Sequence, residues 1–66
     1  MPKMTLKSAR VNAGLKQIEV AEELGVAVST VRNWEKGITF PKQPVNNMLC
    51  QLYNVPYDYI DFDRHN

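Results

Sequence analysis

Cysteine is nearly absent from this sequence, which has Cys50 and no second cysteine among its 66 residues. A disulfide within the chain is therefore excluded, and a lone cysteine is typical of the reducing cytoplasm. A domain of this length buries only about 60% of the surface that its unfolded chain exposes. Well-packed helices or a partner subunit must therefore stabilise the fold, which favours a homodimer.

Long apolar runs are also absent. The sequence after Met1-Pro2-Lys3 contains no stretch long enough for the apolar part of a signal peptide or for a membrane span. We therefore expect a soluble, cytoplasmic protein with no membrane partner.

Residues that bind metals or catalyse reactions are scarce. His65 is the single histidine and precedes the last residue, with no second His or Cys at metal-ligand spacing. Cys50 follows Leu49 on a predicted helix, where a small core residue is a better interpretation than a nucleophile. We expect no metal, no catalytic residue, no cofactor and no small-molecule ligand, so the protein is not predicted to be an enzyme.

The net charge is only +1, but it is distributed unevenly. Up to Lys42 the chain has seven Lys or Arg and four Glu, a balance of +3. From Gln43 onward Arg64 opposes Asp58, Asp61 and Asp63, a balance of −2. Any attraction for phosphate therefore belongs to the first two thirds of the chain.

Helical spacing of apolar residues dominates, and the alternation typical of strands is absent apart from short ambiguous pieces. The pattern predicts four helices and one short turn of helix from Tyr57 to Ile60, in one domain over 1–66. Its core is expected at about 5–60, with a loose tail over 61–66. The fourth helix has a predicted inward stripe of Val45, Met48, Leu49 and Leu52. Capping and turn residues mark the ends of the helices: Thr5, Gly14, Gly25, Gly37, Pro44 and Asn54.

The run from Gln17 to Glu35 fits two helices that cross steeply around a tight turn. Ala21 suits the point of closest approach, and Gly25 supplies the positive φ that such a turn needs. The shared core is predicted to contain Val20, Leu24, Val26, Val31 and Trp34. Four residues then remain on the outer face of the third helix with no packing role, and we expect them to contact DNA base edges: Val28, Ser29, Arg32 and Asn33.

Several short motifs resemble the phage repressor and Cro (XRE-like) family of helix-turn-helix proteins. They are Gly14-Leu15-Lys16-Gln17, Ala21, Leu24-Gly25-Val26, Thr30-Val31, Trp34-Glu35-Lys36-Gly37, Pro41, Leu49-Cys50-Gln51-Leu52-Tyr53-Asn54-Val55 and Tyr57-Asp58. The resemblance implies an all-α, five-helix domain of the lambda-repressor type. It also implies a sequence-specific transcriptional regulator of a phage or bacterium whose third helix enters the major groove of an operator.

The resemblance also implies roles for particular residues. Gln17 is expected to bind a phosphate and to brace the reading helix, with further phosphate contacts from Lys16, Lys36 and Lys42. Arg10 and Glu35 match positions that form a structural ion pair in the family.

Three residues depart from the family pattern. Ala27 lacks the side-chain acceptor of the usual cap of the third helix, and Lys16 replaces a usual capping residue of the second. Val28 offers only apolar contact, most naturally to a thymine methyl group. Direct readout is therefore expected to depend on Arg32 with guanine and Asn33 with adenine.

Aromatic residues are concentrated near the end of the sequence, where Tyr53, Tyr57, Tyr59 and Phe62 fall within ten residues. They exceed what so small a core can hide, so we expect some of them at a dimer interface, although a monomeric aromatic core is the alternative. Trp34 and Met48 are expected in the core.

Two hypotheses about function follow. The first is a homodimeric, Cro-like or repressor-like regulator that binds double-stranded DNA. The second is the same fold used as a protein-interaction module, such as an antitoxin-like or anti-repressor subunit, which Val28 and the modest charge favour slightly.

Overall fold

The computed structural model describes residues 3–62, which form four α-helices and one 3-10 turn. In chain order these are α1 (Leu6–Asn12), α2 (Gln17–Leu24), α3 (Val28–Lys36), α4 (Val45–Tyr53) and the 3-10 turn (Tyr57–Tyr59). Only three residues, Gly25, Val26 and Ala27, separate α2 from α3. In the described part of the chain, no helix is long and apolar enough to cross a membrane.

Most of the helix ends lie at predicted capping residues, but the C-cap of α1 is Ala13 rather than Gly14. Thr5 Oγ1 accepts a hydrogen bond from the Ser8 backbone N–H at 3.1 Å, so α1 begins with a side-chain cap. Gly25 has a φ of +71°, and its N–H donates to carbonyl groups of α2. Asn54 ends α4 with a φ of +57°, a conformation that asparagine tolerates better than most residues.

The short turn of helix predicted from Tyr57 to Ile60 is present as a 3-10 turn over Tyr57–Tyr59. The family resemblance implied a fifth helix here, and the described residues do not form a fifth α-helix. Ile60 is extended and pairs with Met4 in a parallel bridge, where the Asp61 N–H donates to the Met4 carbonyl at 2.9 Å. Phe62 is buried. The loose tail therefore does not begin at Asp61, and its predicted remainder, 63–66, lies outside the described residues.

Every helix contributes to one apolar core, and Leu49 of α4 is fully buried in it. The inward face of α4 consists of Asn46, Leu49, Cys50 and Tyr53. This face is rotated from the predicted stripe, because Asn46 and Tyr53 are buried whereas Val45 and Leu52 are only half-buried. The prediction that Met48 lies in the core is therefore wrong, and Met48 is 39% exposed.

Candidate nucleic-acid interface

The outer surface of α3 is the candidate reading face. Ser29 and Arg32 are exposed and Asn33 is half-buried. Because these residues are spaced at i, i+3 and i+4, their side chains lie on one side of the helix. Lys36 is exposed one turn further along. The face therefore presents a hydroxyl, a guanidinium, an amide and an ammonium group in succession.

Val28 differs from the other predicted base-contact residues because it packs partly against the core. It is the first residue of α3, and Val26 in the preceding turn packs against the same core. The prediction that Val28 has no packing role is wrong, since the tight turn draws both valines inward. Only the exposed part of its side chain remains for a partner.

The start of α3 has no side-chain cap, as the sequence predicts, because the N-cap residue is Ala27. The Thr30 N–H donates to the Ala27 carbonyl at 3.0 Å. No side-chain oxygen of the N-cap residue satisfies the free N–H groups in the first turn of α3. These N–H groups carry the positive end of the helix dipole and are suited to an anion.

A polar network fixes α3 to α1 and α2. Arg10 Nε donates to Glu35 Oε2 at 2.6 Å and Arg10 Nη2 to Glu35 Oε1 at 3.2 Å. Arg10 Nη1 also donates to the Leu15 carbonyl at 2.8 Å. Both side chains of the ion pair are well buried, with 13% of Arg10 and 5% of Glu35 exposed. Hydrogen bonding to Glu35 raises the pKa of Arg10. Because its Nε, Nη1 and Nη2 groups all donate to acceptors within the chain, the arginine is held in this structural pair.

Gln17 joins the same network from α2. Its Nε2 donates to Glu35 Oε1 at 2.9 Å, so one carboxylate connects all three helices. This bond is the brace that the family resemblance implies. The Gln17 side chain is half-buried. Because Gln17 is also the first residue of α2, its backbone N–H lies at the positive end of that helix.

Tyr53 lies behind the ion pair and is 4% exposed. Burial raises the pKa of its phenol, and the nearby Glu35 carboxylate raises this pKa further, while Arg10 lowers it by a smaller amount. The phenol of the folded protein therefore stays neutral to a higher pH than that of the unfolded chain, in which tyrosine has a pKa of about 10. The stability from this difference is complete below that pH and is lost as the pH rises through the folded pKa.

We predict that the free energy of unfolding falls above pH about 10 and that it falls less steeply in Tyr53→Phe. Urea unfolding at several alkaline pH values would measure both slopes. Tyr59→Phe is the matched control, since that ring is 49% exposed, and it should keep the slope of the original protein. Equal slopes in all three proteins would contradict the raised pKa of Tyr53, whose main cause is the burial of its phenol.

Glu19 is a site residue that the sequence reasoning missed. Its carboxylate accepts the Lys16 backbone N–H at 2.7 Å and so lies at the start of α2. The Lys16 side chain has no acceptor to cap this helix, so the carboxylate stabilises the helix end instead. The spacing Lys16-x-x-Glu19, the second half of a capping box, is the signal that would have identified it.

The lysines predicted to contact phosphate lie before and after the reading-face residues in the sequence. Lys16 precedes α2, Lys36 ends α3 and Lys42 lies in the loop before α4, and all three are exposed.

The described residues contain no group of three or more His, Cys, Asp or Glu that could hold a metal. Cys50 is a buried free thiol. Burial raises the pKa of this thiol, so its reactive thiolate form is disfavoured.

Two of the four predicted dimer-contact aromatics are excluded by burial. Tyr53 and Phe62 belong to the core of the single chain, and the Phe62 ring centroid lies 5.1 Å from that of Tyr57. Tyr57 and Tyr59 are exposed. The number of aromatic residues did not predict which of them are buried, because burial here depends on tertiary contacts such as the pairing of Met4 with Ile60.

Comparisons with known proteins agree with this geometry. A helix-turn-helix family model matches residues 6–60, which include all four α-helices and the 3-10 turn. The chain is also 38% identical over 55 residues to the HTH-type transcriptional regulator ImmR of Bacillus subtilis (strain 168). These residues are 83% of this chain and 43% of that relative, so the chain spans less than half the length of the relative. No solved structure gives a significant match.

The family match covers more than half of the chain, and the three-residue turn between α2 and α3 lies within it. The motifs that carry the sequence resemblance, from Gly14 to Asp58, lie within it as well. The chain therefore belongs to the XRE-like helix-turn-helix family.

Proposed function

We propose that this protein is a Cro-like or repressor-like transcriptional regulator that binds double-stranded DNA with α3 in the major groove. The observation that carries the proposal is the contrast between the two sides of α3. One side is held by the Arg10, Glu35 and Gln17 network, and the other presents Ser29, Arg32 and Asn33 outward. A rigidly held helix with outward polar side chains is what base readout requires.

Base recognition would depend mainly on the two longest polar side chains of the face. Arg32 is suited to bidentate pairing with guanine O6 and N7, and Asn33 to adenine N6 and N7. Ser29 would bond to either type of base edge. The exposed part of Val28 would contact a thymine methyl group, a role limited by its packing against the core.

Phosphate contacts would come from Lys16, Lys36 and Lys42, together with Gln17 at the start of α2. Each lysine that meets a phosphate releases counterions, so affinity should fall steeply between about 50 and 200 mM salt. This titration tests the proposed function, because an apolar contact with a protein partner would be almost insensitive to salt. Lys16→Ala should weaken binding to all duplexes alike and lower the salt slope by about one unit.

Glu19 opposes the phosphate contact proposed for the start of α2, because its carboxylate occupies the same helix end. We predict that Glu19→Gln, which keeps an acceptor for the Lys16 N–H, tightens DNA binding by about two- to fivefold at low salt. Fluorescence anisotropy with a labelled duplex would measure the change. The matched control is Glu23→Gln, which neutralises an exposed carboxylate near the other end of α2. An equal gain in both variants would show a non-specific charge effect and would contradict the local role.

We further propose that two copies bind one operator, with Tyr59 and Tyr57 in the surface between them. A two-fold dimer would place its two reading helices about one turn of DNA apart, roughly 34 Å. Tyr59 carries the sharper test, because the Tyr57 hydroxyl already accepts a hydrogen bond from Gln43. Sedimentation of the protein on a symmetric duplex should give two copies per site, and Tyr59→Ala should reduce this to one. Val11→Ala, at another exposed apolar residue, is the control.

A further inference from the structure

The outer side of α4 and the C-terminal end of α2 form a groove on the surface of the protein. Its volume is about 300 Å³, and its lining consists of Glu23, Leu24, Met48, Gln51 and Leu52. None of these residues belongs to α3, and the DNA-binding proposal uses none of them for contact with a base or a phosphate. The groove therefore belongs to a surface other than the reading face.

Methionine and leucine side chains form the apolar part of the groove. Met48 and Leu52 are spaced at i, i+4 and so lie on one side of α4, and Leu24 is the last residue of α2. Met48 is 39% exposed, whereas Asn46 and Tyr53 of the same helix are buried. Part of the apolar stripe of α4 therefore lies on the surface, and an apolar patch bordered by polar residues is typical of an interaction site.

A second depression, of about 360 Å³, continues the groove along the same helix. It shares Gln51 with the first, and its other lining residues are Cys50, Asn54, Val55 and Pro56. The span from Met48 to Pro56 is long enough for about two turns of a partner helix.

The charge around the groove has one sign. Glu22 and Glu23 are exposed, and α2 and α4 contain no lysine, arginine or histidine. Within residues 3–62, neither carboxylate forms an ion pair or a hydrogen bond. The two carboxylates repel phosphate and attract lysine and arginine. A two-fold contact between two copies would bring the same carboxylates into one interface, so the charge favours a basic partner that is a different protein.

The groove is formed by helices, whose backbone groups are already paired within each helix. A partner finds no free sheet edge there and must satisfy its own backbone hydrogen bonds, as a helix does.

We propose that this groove binds a basic amphipathic helix of another protein. Its apolar side chains lie on Leu24, Met48 and Leu52, and its lysines or arginines lie beside Glu22 and Glu23. The proposal does not rest on DNA binding, because no residue of α3 lines the groove.

The test uses a peptide of about 15 residues with leucines at helical spacing i, i+3, i+4 and i+7 and lysines on either side of them. The peptide is titrated into the full chain at constant ionic strength, and the backbone amides of the protein are followed by NMR. A saturable shift is expected, with the largest changes at Met48, Gln51 and Leu52. A peptide with glutamate in place of every lysine, and another with serine in place of every leucine, should each bind at least about tenfold more weakly.

Variants assign the binding to the groove. Met48→Ser should weaken it at least about fivefold, because the side chain loses its apolar contact with the peptide. Val11→Ser is the matched control at an exposed apolar residue of α1, and it should bind normally. Glu22→Gln with Glu23→Gln should weaken binding several-fold, whereas Asp58→Asn, at an exposed carboxylate of the 3-10 turn, should not. Because both glutamates are exposed, this double variant does not depend on the folding of Met48→Ser.

Four results would overturn the proposal. The first is a shift that never saturates. The second is equal binding of the glutamate or the serine peptide, which would remove the role of charge or of apolar contact. The third is an equal affinity of Met48→Ser and Val11→Ser, which would place the peptide elsewhere on the protein. The fourth is self-association of the free chain that Met48→Ser abolishes, measured by sedimentation, which would make a second copy the occupant.

Discussion

Replacing Glu35 with alanine is expected to lower the free energy of unfolding by about 3–5 kcal/mol. The loss is large because Arg10 would keep its charge in a site where only 13% of its side chain is exposed. Gln17 would lose its acceptor in the same step. A domain of this size has little stability in reserve, so we expect Glu35→Ala to be largely unfolded at 37 °C.

Urea unfolding followed by circular dichroism measures this loss. Glu22→Ala removes an exposed glutamate from α2 and should change stability by less than about 0.5 kcal/mol. The double variant Arg10→Met with Glu35→Leu removes both charges, and we expect it to be much more stable than Glu35→Ala. A loss below about 1 kcal/mol in Glu35→Ala would contradict the view that this pair fixes the reading helix.

Arg32→Ala is expected to reduce discrimination at one base pair of each half-site by about 1–3 kcal/mol, which is roughly fivefold to over a hundredfold. The protein should remain as stable as before, because the Arg32 side chain is exposed. Asn33→Ala should relax preference at a neighbouring base pair in the same way.

The comparison of Arg32→Ala with Lys16→Ala distinguishes recognition of bases from attraction to the phosphate backbone. Loss of a phosphate contact weakens binding to every duplex, whereas loss of a base contact removes preference for one base. Affinities for the preferred duplex and its single-base variants, measured at one salt concentration, distinguish the two. If Arg32→Ala weakened all duplexes equally, Arg32 would be a phosphate contact and the readout proposal would be wrong.

The positions of the helix ends and of the helix-turn-helix could be predicted because they depend on local chemistry. Thr5, Gly25 and Asn54 each satisfy or permit a backbone conformation that few other residues serve as well. The Arg10–Glu35 pair spans 25 positions in the sequence and was identified only through the family resemblance.

Errors arose where tertiary contacts override residue type. Asn46 and Tyr53 do not belong to the predicted apolar stripe, yet both lie on the buried face of α4. That error rotated the predicted stripe and placed Met48 inside. The pairing of Met4 with Ile60 also lies beyond any periodicity argument, and Phe62, two residues after this bridge, is buried.

The central claim, that α3 reads double-stranded DNA, is tested most directly by selecting binding sites from a pool of random duplexes. The account predicts enrichment of one sequence with two roughly symmetric half-sites about 10 base pairs apart, and loss of the preferred base at one position per half-site in Arg32→Ala. Failure of a folded protein to enrich any duplex over background would contradict it.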